Sequence, residues 1–160
     1  MSETERVPVI VIVDDEEMVL TSLRSFLMLE TEYEVVTYNS PQQALKQLGD
    51  RSFDLVVSDY LMPDMNGIDF LLEVKKLHPF ATRILLTGYA DKENAIKAIN
   101  DVGLYQYVEK PWNNDDILLT IQNGLERRFL MEKLEEKIRE VQSVQQNLQD
   151  IQAQIIKAFI

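Results

Sequence analysis

The sequence predicts an α/β fold, a five-stranded parallel sheet with helices on both faces, extended by a long C-terminal helix. Two observations carry the sheet. Short apolar, β-branched runs alternate with stretches of helical periodicity. Such alternation builds parallel strands, because each crossover needs a helix and both sheet faces are then covered. The third observation is a helical spacing of apolar residues from about Asn113 to the end of the chain, first Ile117, Leu118, Ile121 and Leu125 and then two 3-4 seams.

The five strands are expected at Val9–Val13, Glu34–Tyr38, Leu55–Ser58, Arg83–Thr87 and Gln106–Val108, each too short to be a helix. VPVIVIV and FDLVV have the continuous apolar character of central strands buried on both faces. Helices are expected at Glu16–Leu29, Pro41–Leu48, Ile68–Leu77 and Lys92–Asn100. Ser40 before Pro41 reads as an N-cap followed by proline at the first helical position. Gly67 reads as the pivot of a tight turn before the third helix.

With 160 residues and 46% hydrophobic composition, the chain can bury one core and has little room for a second. No run reaches the roughly eighteen apolar residues of a membrane span. The start, MSETERVPV, lacks the apolar stretch of a signal peptide, so a cytoplasmic location is expected. The absence of cysteine excludes disulfides, thiol nucleophiles and thiolate metal sites, and the single His78 cannot build a histidine-rich centre. The net charge of −11 is uneven, with 10 basic against 21 acidic residues in 1–125 and 6 against 6 in 126–160. That distribution disfavours a nucleic-acid partner, and the tail carries no basic recognition helix.

In a parallel α/β sheet ligands bind beyond the carboxyl ends of the strands. Those ends carry Asp14 and Asp15, then Asp59, then Thr87, then Lys110 followed by Pro111. Singly, each has a structural explanation: a helix cap for Asp14 or Asp15, a turn for Asp59, a solvated charge for Lys110. Together they describe a site. Three converging carboxylates repel one another unless a cation neutralises them, and a site without nitrogen or sulfur donors suits a hard divalent ion such as Mg²⁺. Mg²⁺ is commonly held by one or two carboxylates plus a phosphate, and Lys110 supplies a point charge for a phosphoryl oxygen.

The stretches VIVDDEE, SDYLMPDMNG, ILLTGYA and YVEKPW resemble the receiver domains of two-component response regulators. The resemblance covers about residues 7–125 and implies the chemotaxis-receiver, flavodoxin-like strand order 2-1-3-4-5. It divides the chain into a receiver domain, 1–125, and a helical coiled-coil extension, 126–160. It further implies that Asp59 is the phosphoacceptor and that Asp15, Asp59 and the backbone carbonyl of Leu61 bind Mg²⁺, with Asp14 acting mainly through a metal-bound water. Thr87 and Lys110 would contact the phosphoryl group, Tyr107 would be the aromatic switch residue, and the Lys110-Pro111 bond would be cis. The phosphoryl donor would be a sensor histidine kinase or a phosphotransfer protein. The similarity also places Leu61 and Tyr89 beside the path of the hydrolysing water, which predicts a long-lived phospho-Asp59.

The expected function is therefore a phosphorylation-controlled module that is not itself an enzyme. Receivers with a similar YxxxKPW segment commonly precede enzymatic output domains; here a cyclic-dinucleotide phosphodiesterase or a phosphatase beyond this chain is the expectation. A Mg²⁺-dependent phosphohydrolase is the competing class, but its usual general acid two residues after the nucleophile is replaced by Leu61. A DNA-binding regulator is the third, and no helix-turn-helix pattern follows residue 125. His78, before Pro79, reads as a helix-end residue, and Trp112 as a packing residue.

In the tail, Met131, Leu134, Ile138 and Val141 form one seam, and Val144, Leu148, Ile151, Ile155 and Ala158 form another. A three-residue step from Val141 to Val144 joins them, a stammer that overwinds a coil locally. The expectation is a parallel homodimer through 126–160. A second dimer contact, through the receiver's fourth helix, fifth strand and fifth helix, is compatible with it.

Overall fold

The apolar runs become neighbouring strands. In the computed structural model of the protein, which describes residues 6–159 apart from the Tyr89 side chain, the sheet is made of β1 (Val9–Val13), β2 (Glu34–Tyr38), β3 (Leu55–Asp59), β4 (Thr82–Thr87) and β5 (Gln106–Glu109). All neighbours are parallel, in the order β2-β1-β3-β4-β5, as expected. β3 and β4 are buried along their whole length and β1 all but its first residue, whereas the edge strands β2 and β5 are partly exposed. Central strands in a doubly covered sheet need apolar side chains on both faces, and the sequence supplies them.

The helices α1 (Glu17–Glu30), α2 (Pro41–Leu48) and α3 (Gly67–Leu77) lie within a residue of their expected ranges. α1 buries Leu20, Leu23 and Leu27, a 3-4 stripe. Ser40 caps α2 as expected, its hydroxyl accepting from the Gln43 amide at 3.3 Å, with Pro41 opening the helix. Asn66 caps α3, its side-chain oxygen accepting from the Asp69 amide at 2.9 Å. Gly67 is needed for close approach as well as for the turn: a Cβ there would lie 2.1 Å from the backbone oxygen of Asp59.

α4 departs from the sequence expectation. Its regular part ends at Ala98 (Lys92–Ala98), and Ile99–Gly103 widens into a π-helical turn that closes at Gly103 with φ 65°. The partner of that turn is Arg83, a buried residue of β4. Its guanidinium donates to the carbonyls of Val102 at 3.1 Å, Gly103 at 3.2 Å, Ala81 at 3.1 Å and Pro79 at 3.3 Å. A helix C-terminus carries unsatisfied carbonyls and partial negative charge, and a buried cation satisfies both.

α5 runs from Asn114 to Phe159. It begins where the Asn113 side chain accepts from the amides of Asp115 at 2.8 Å and Asp116 at 3.3 Å. Ile117, Ile121, Gly124 and Leu125 form its buried stripe. At Gly124 the helix comes so close to the sheet that a Cβ would stand 2.8 Å from Leu55 Cδ1, and Thr82 Oγ1 donates to the Gly124 carbonyl at 2.8 Å. The Arg127 guanidinium stacks 5.5 Å from the Tyr105 ring centroid.

The chain divides into two compact units, one ending at Arg128 and the other beginning at Phe129. The second is helical, and its seam residues are half exposed in the single chain: Leu134 54%, Val144 57%, Leu148 55% and Ile155 53%. Among the described residues no helix is long and apolar enough to cross a membrane.

Candidate functional site

Four of the five strands deliver a residue at or just beyond their carboxyl end to the same rim. Asp14 follows β1, Asp59 ends β3, Thr87 ends β4, and Lys110 follows β5. The Lys110 ammonium bridges two of the carboxylates, 2.9 Å from Asp59 Oδ1 and 3.4 Å from Asp14 Oδ2, with Glu16 Oε1 at 3.9 Å. The bond from Lys110 to Pro111 is cis, as the resemblance implies.

Neither Asp14 nor Asp15 caps α1, whose N-cap is Glu16 without a side-chain cap bond, but the buried Asp14 and Asp59 both make local backbone contacts. Asp14 Oδ1 accepts from the Glu16 amide at 2.9 Å, in the turn that opens α1, and Asp59 Oδ1 accepts from the Tyr60 amide at 3.0 Å. These bonds orient the carboxylates without consuming them, since each group has about four acceptor positions.

Asp14, Asp15 and Asp59 each place a carboxylate oxygen within 4.8 Å of the others. Asp14 and Asp59 are buried and Asp15 is exposed, so one side of the cluster opens to solvent. Burial pushes the Asp14 carboxyl up to about 6, reinforced by the neighbouring Asp59 and opposed by the Glu16 amide and Lys110. Burial raises Asp59 too, against the pull of Lys110. Burial lowers Lys110, but the two carboxylates outweigh it and raise its pKa. A single ammonium thus leaves two aspartates protonating above their ordinary range, and a divalent cation on oxygen donors fits what remains unneutralised.

Thr87 supplies the second observation. Its hydroxyl is fully buried, and Oγ1 has no hydrogen-bond partner among the described residues. A buried hydroxyl without a partner costs about 1–3 kcal/mol, so at this place on the rim it calls for an acceptor.

Tyr107 lies on β5 in register with Leu85 of β4 and packs, partly buried, on the hydrophobic core. Position 61, two residues beyond Asp59, where a phosphohydrolase would carry its general acid, is an apolar leucine, 64% exposed. The Tyr89 side chain lies outside the described residues. His78 closes α3 away from this rim, its Nε2 against the Leu48 carbonyl and its ring edge-on to Phe53 at 4.8 Å. It is the helix-end residue that the sequence suggested.

Two interactions escaped the sequence reading. Lys110 holds Asp14 and Asp59 directly, before any phosphoryl group is involved. At the opposite ends of the strands, buried Asp54 takes Arg6 in a two-point pair at 2.7 and 2.8 Å and accepts from the Val9 amide at 2.8 Å. An acid at a strand start in FDLVV, with an arginine before the first strand, was the available signal.

A parallel sheet of this order with an acidic, lysine-bridged rim defines a receiver-type class of signalling domains. The profile of the response regulator receiver domain matches residues 10–122, and the chain belongs to that family. It is 33% identical over 133 residues to the hydrogenase transcriptional regulatory protein HoxA of Cupriavidus necator, covering 81% of this chain and 27% of HoxA. The signal receiver domain of an HD domain-containing protein from Pseudomonas fluorescens Pf-5 is similar in structure, with TM-score 0.72, 36% identity, and coverage of 77% of this chain and 98% of that one. The beryllofluoride-activated NtrC4 receiver domain dimer is also similar, with TM-score 0.69, 33% identity, and coverage of 75% and 98%. The chain spans about a quarter of the length of the curated relatives it matches.

Proposed function

We propose that the protein accepts a phosphoryl group on Asp59 from a phosphohistidine of a sensor kinase or phosphotransfer protein. The observation that carries this reading is the pairing of a carboxylate cluster with a buried, partnerless Thr87 hydroxyl on one rim. An Asp59 carboxylate oxygen attacks phosphorus, the N–P bond breaks, and the imidazole leaves with the electron pair. Lys110, already 2.9 Å from Asp59, neutralises charge on the transferring group, and Thr87 donates to one of its oxygens. Asp15, Asp59 and the Leu61 carbonyl would hold Mg²⁺, with Asp14 acting through a bound water; the ion would supply charge neutralisation for phosphoryl oxygens. The hydroxyl reaches its new acceptor by moving inward, and Tyr107 rotates into the space that it leaves. Incubation with acetyl phosphate tests the assignment: one phosphoryl group is expected per chain with Mg²⁺ and none with chelator.

By the likeness to receivers, Leu61 would shield the acyl phosphate from water. Leu61→Asn is expected to speed loss of the phosphoryl group several-fold, followed by release of inorganic phosphate. A decay equal to the parent's would remove Leu61 from that role.

The receiver, 1–125, passes its state to the helical extension, 126–160, and through it to dimerisation or to an output domain. A cyclic-dinucleotide phosphodiesterase or a phosphatase is the output we favour, consistent with the likeness to the receiver of an HD domain-containing protein. The occupant of the tail's seam is a second copy of this chain, in parallel. No pair of flanking positions facing each other across either half of such a dimer brings together two like charges, and residues 141–156 contain one charged side chain, Asp150. Sedimentation of the parent is expected to report a dimer. Leu134→Glu combined with Leu148→Glu should give a monomer, because each buries an unpaired charge in the seam. A dimer indifferent to both substitutions would place the contact elsewhere.

A further inference from the structure

The tail can close its seam in two ways. Leu134, Val141, Leu148 and Ile155 recur every seven residues and are 53–58% exposed in the single chain. A parallel coil packs such a stripe together with a second row, on one side of it or the other. On one side lie Met131 and Ile138, continued by Gln145 and Gln152; on the other lie Leu130 and Lys137, continued by Val144 and Ile151. In the second half the choice is settled, since Val144 and Ile151 are apolar and their rivals are glutamines. In the first half it is balanced. Met131 and Ile138 give an apolar seam but meet Val144 through the three-residue step that overwinds the coil. Leu130 and Lys137 continue one regular heptad from Leu130 to Ala158, at the cost of a lysine at a core position, from which its stem can reach outward.

We infer that the first half of the coil is a two-position coupling, in which each helix turns between the Met131/Ile138 seam and the Leu130/Lys137 seam while the second half keeps its packing. With 3.5 residues per turn the two seams differ by about 50°. The inference rests on the parallel dimer proposed above. Because α5 is continuous from Asn114 to Phe159, a change in the setting of its receiver-bound turns is delivered to this segment as rotation.

Crosslinking separates the two seams, and the chain contains no cysteine, so each variant carries a single thiol. A disulfide needs Cα atoms within about 7 Å, which core positions of a parallel dimer provide and flanking positions do not. The full chain carrying Val144→Cys is expected to crosslink equally with and without beryllofluoride and Mg²⁺. The ratio of crosslinking rates of Lys137→Cys and Ile138→Cys is expected to change several-fold when beryllofluoride binds, binding being confirmed by a raised unfolding midpoint. In a Lys137→Leu background, probed with Leu130→Cys and Met131→Cys, the ratio should favour Leu130→Cys in both conditions. A ratio unmoved by bound beryllofluoride while Val144→Cys crosslinks would show a single seam and overturn the inference. No crosslink at Val144→Cys would instead remove the parallel dimer on which it rests.

Discussion

Asp59→Asn is expected to abolish covalent phosphoryl uptake from acetyl phosphate while leaving the fold intact. The amide keeps the shape of the carboxylate and an oxygen that can accept from the Tyr60 amide, now at 3.0 Å. It loses the anionic nucleophile and one of three candidate metal ligands. It also loses the charge opposite Lys110, whose ammonium stands 2.9 Å from Asp59 Oδ1. Mass spectrometry of the intact chain reads the result directly, and circular dichroism confirms folding. Modification of the variant to the level of the parent would place the acceptor elsewhere on the chain.

A second large effect concerns stability without metal. Asp14 binds its proton up to about pH 6 in the folded chain, against an ordinary value of 3.8. Between those values the folded state holds a proton that the unfolded state has released, so this group's contribution to stability falls as pH rises from about 4 to 6 and stays lost above. At about 1.4 kcal/mol per unit, the loss is on the order of 2–3 kcal/mol. Asp14→Asn cannot ionise, and its oxygen can still accept from the Glu16 amide. In metal-free buffer at pH 7 the variant is therefore expected to unfold at higher temperature or denaturant than the parent, with the gain shrinking on acidification toward pH 4. Added Mg²⁺ should raise the parent's midpoint more than the variant's, because a ligand stabilises only the state that binds it. A variant less stable than the parent at pH 7, or a gain independent of pH, would show that burial of Asp14 is not what strains the site.

Much of this site was legible because period and position carry it. Five β-branched runs separated by helical spacing fix a parallel sheet, and a parallel sheet brings residues as distant as Asp14 and Lys110 to one rim. The carboxylates were therefore readable as a cluster from their places after the strands. What sequence could not give was the sharing of Lys110 between Asp14 and Asp59, which depends on side-chain reach across two neighbouring strand ends. The Ile99–Gly103 turn was also hidden. Helical periodicity runs through Asn100 without interruption, and the reason for the widened turn lies on another element, in Arg83. Gly67 carried a local signal, a turn, whereas the clash that a Cβ there would make with the Asp59 carbonyl follows only from tertiary structure.

Arg83 gives α4 unequal ends. Its guanidinium is committed to the carbonyls of Val102 and Gly103 on one side and of Pro79 and Ala81 on the other, so the C-terminal turn of the helix is riveted to β4. At the start of the helix, the side-chain hydrogen bond is the Asn94 amide donating to Tyr60 Oη at 3.3 Å, an exposed bond that water can replace. If Thr87 moves inward as proposed, α4 would meet that push with its far end fixed, and would tilt about the Arg83 end rather than slide along the sheet.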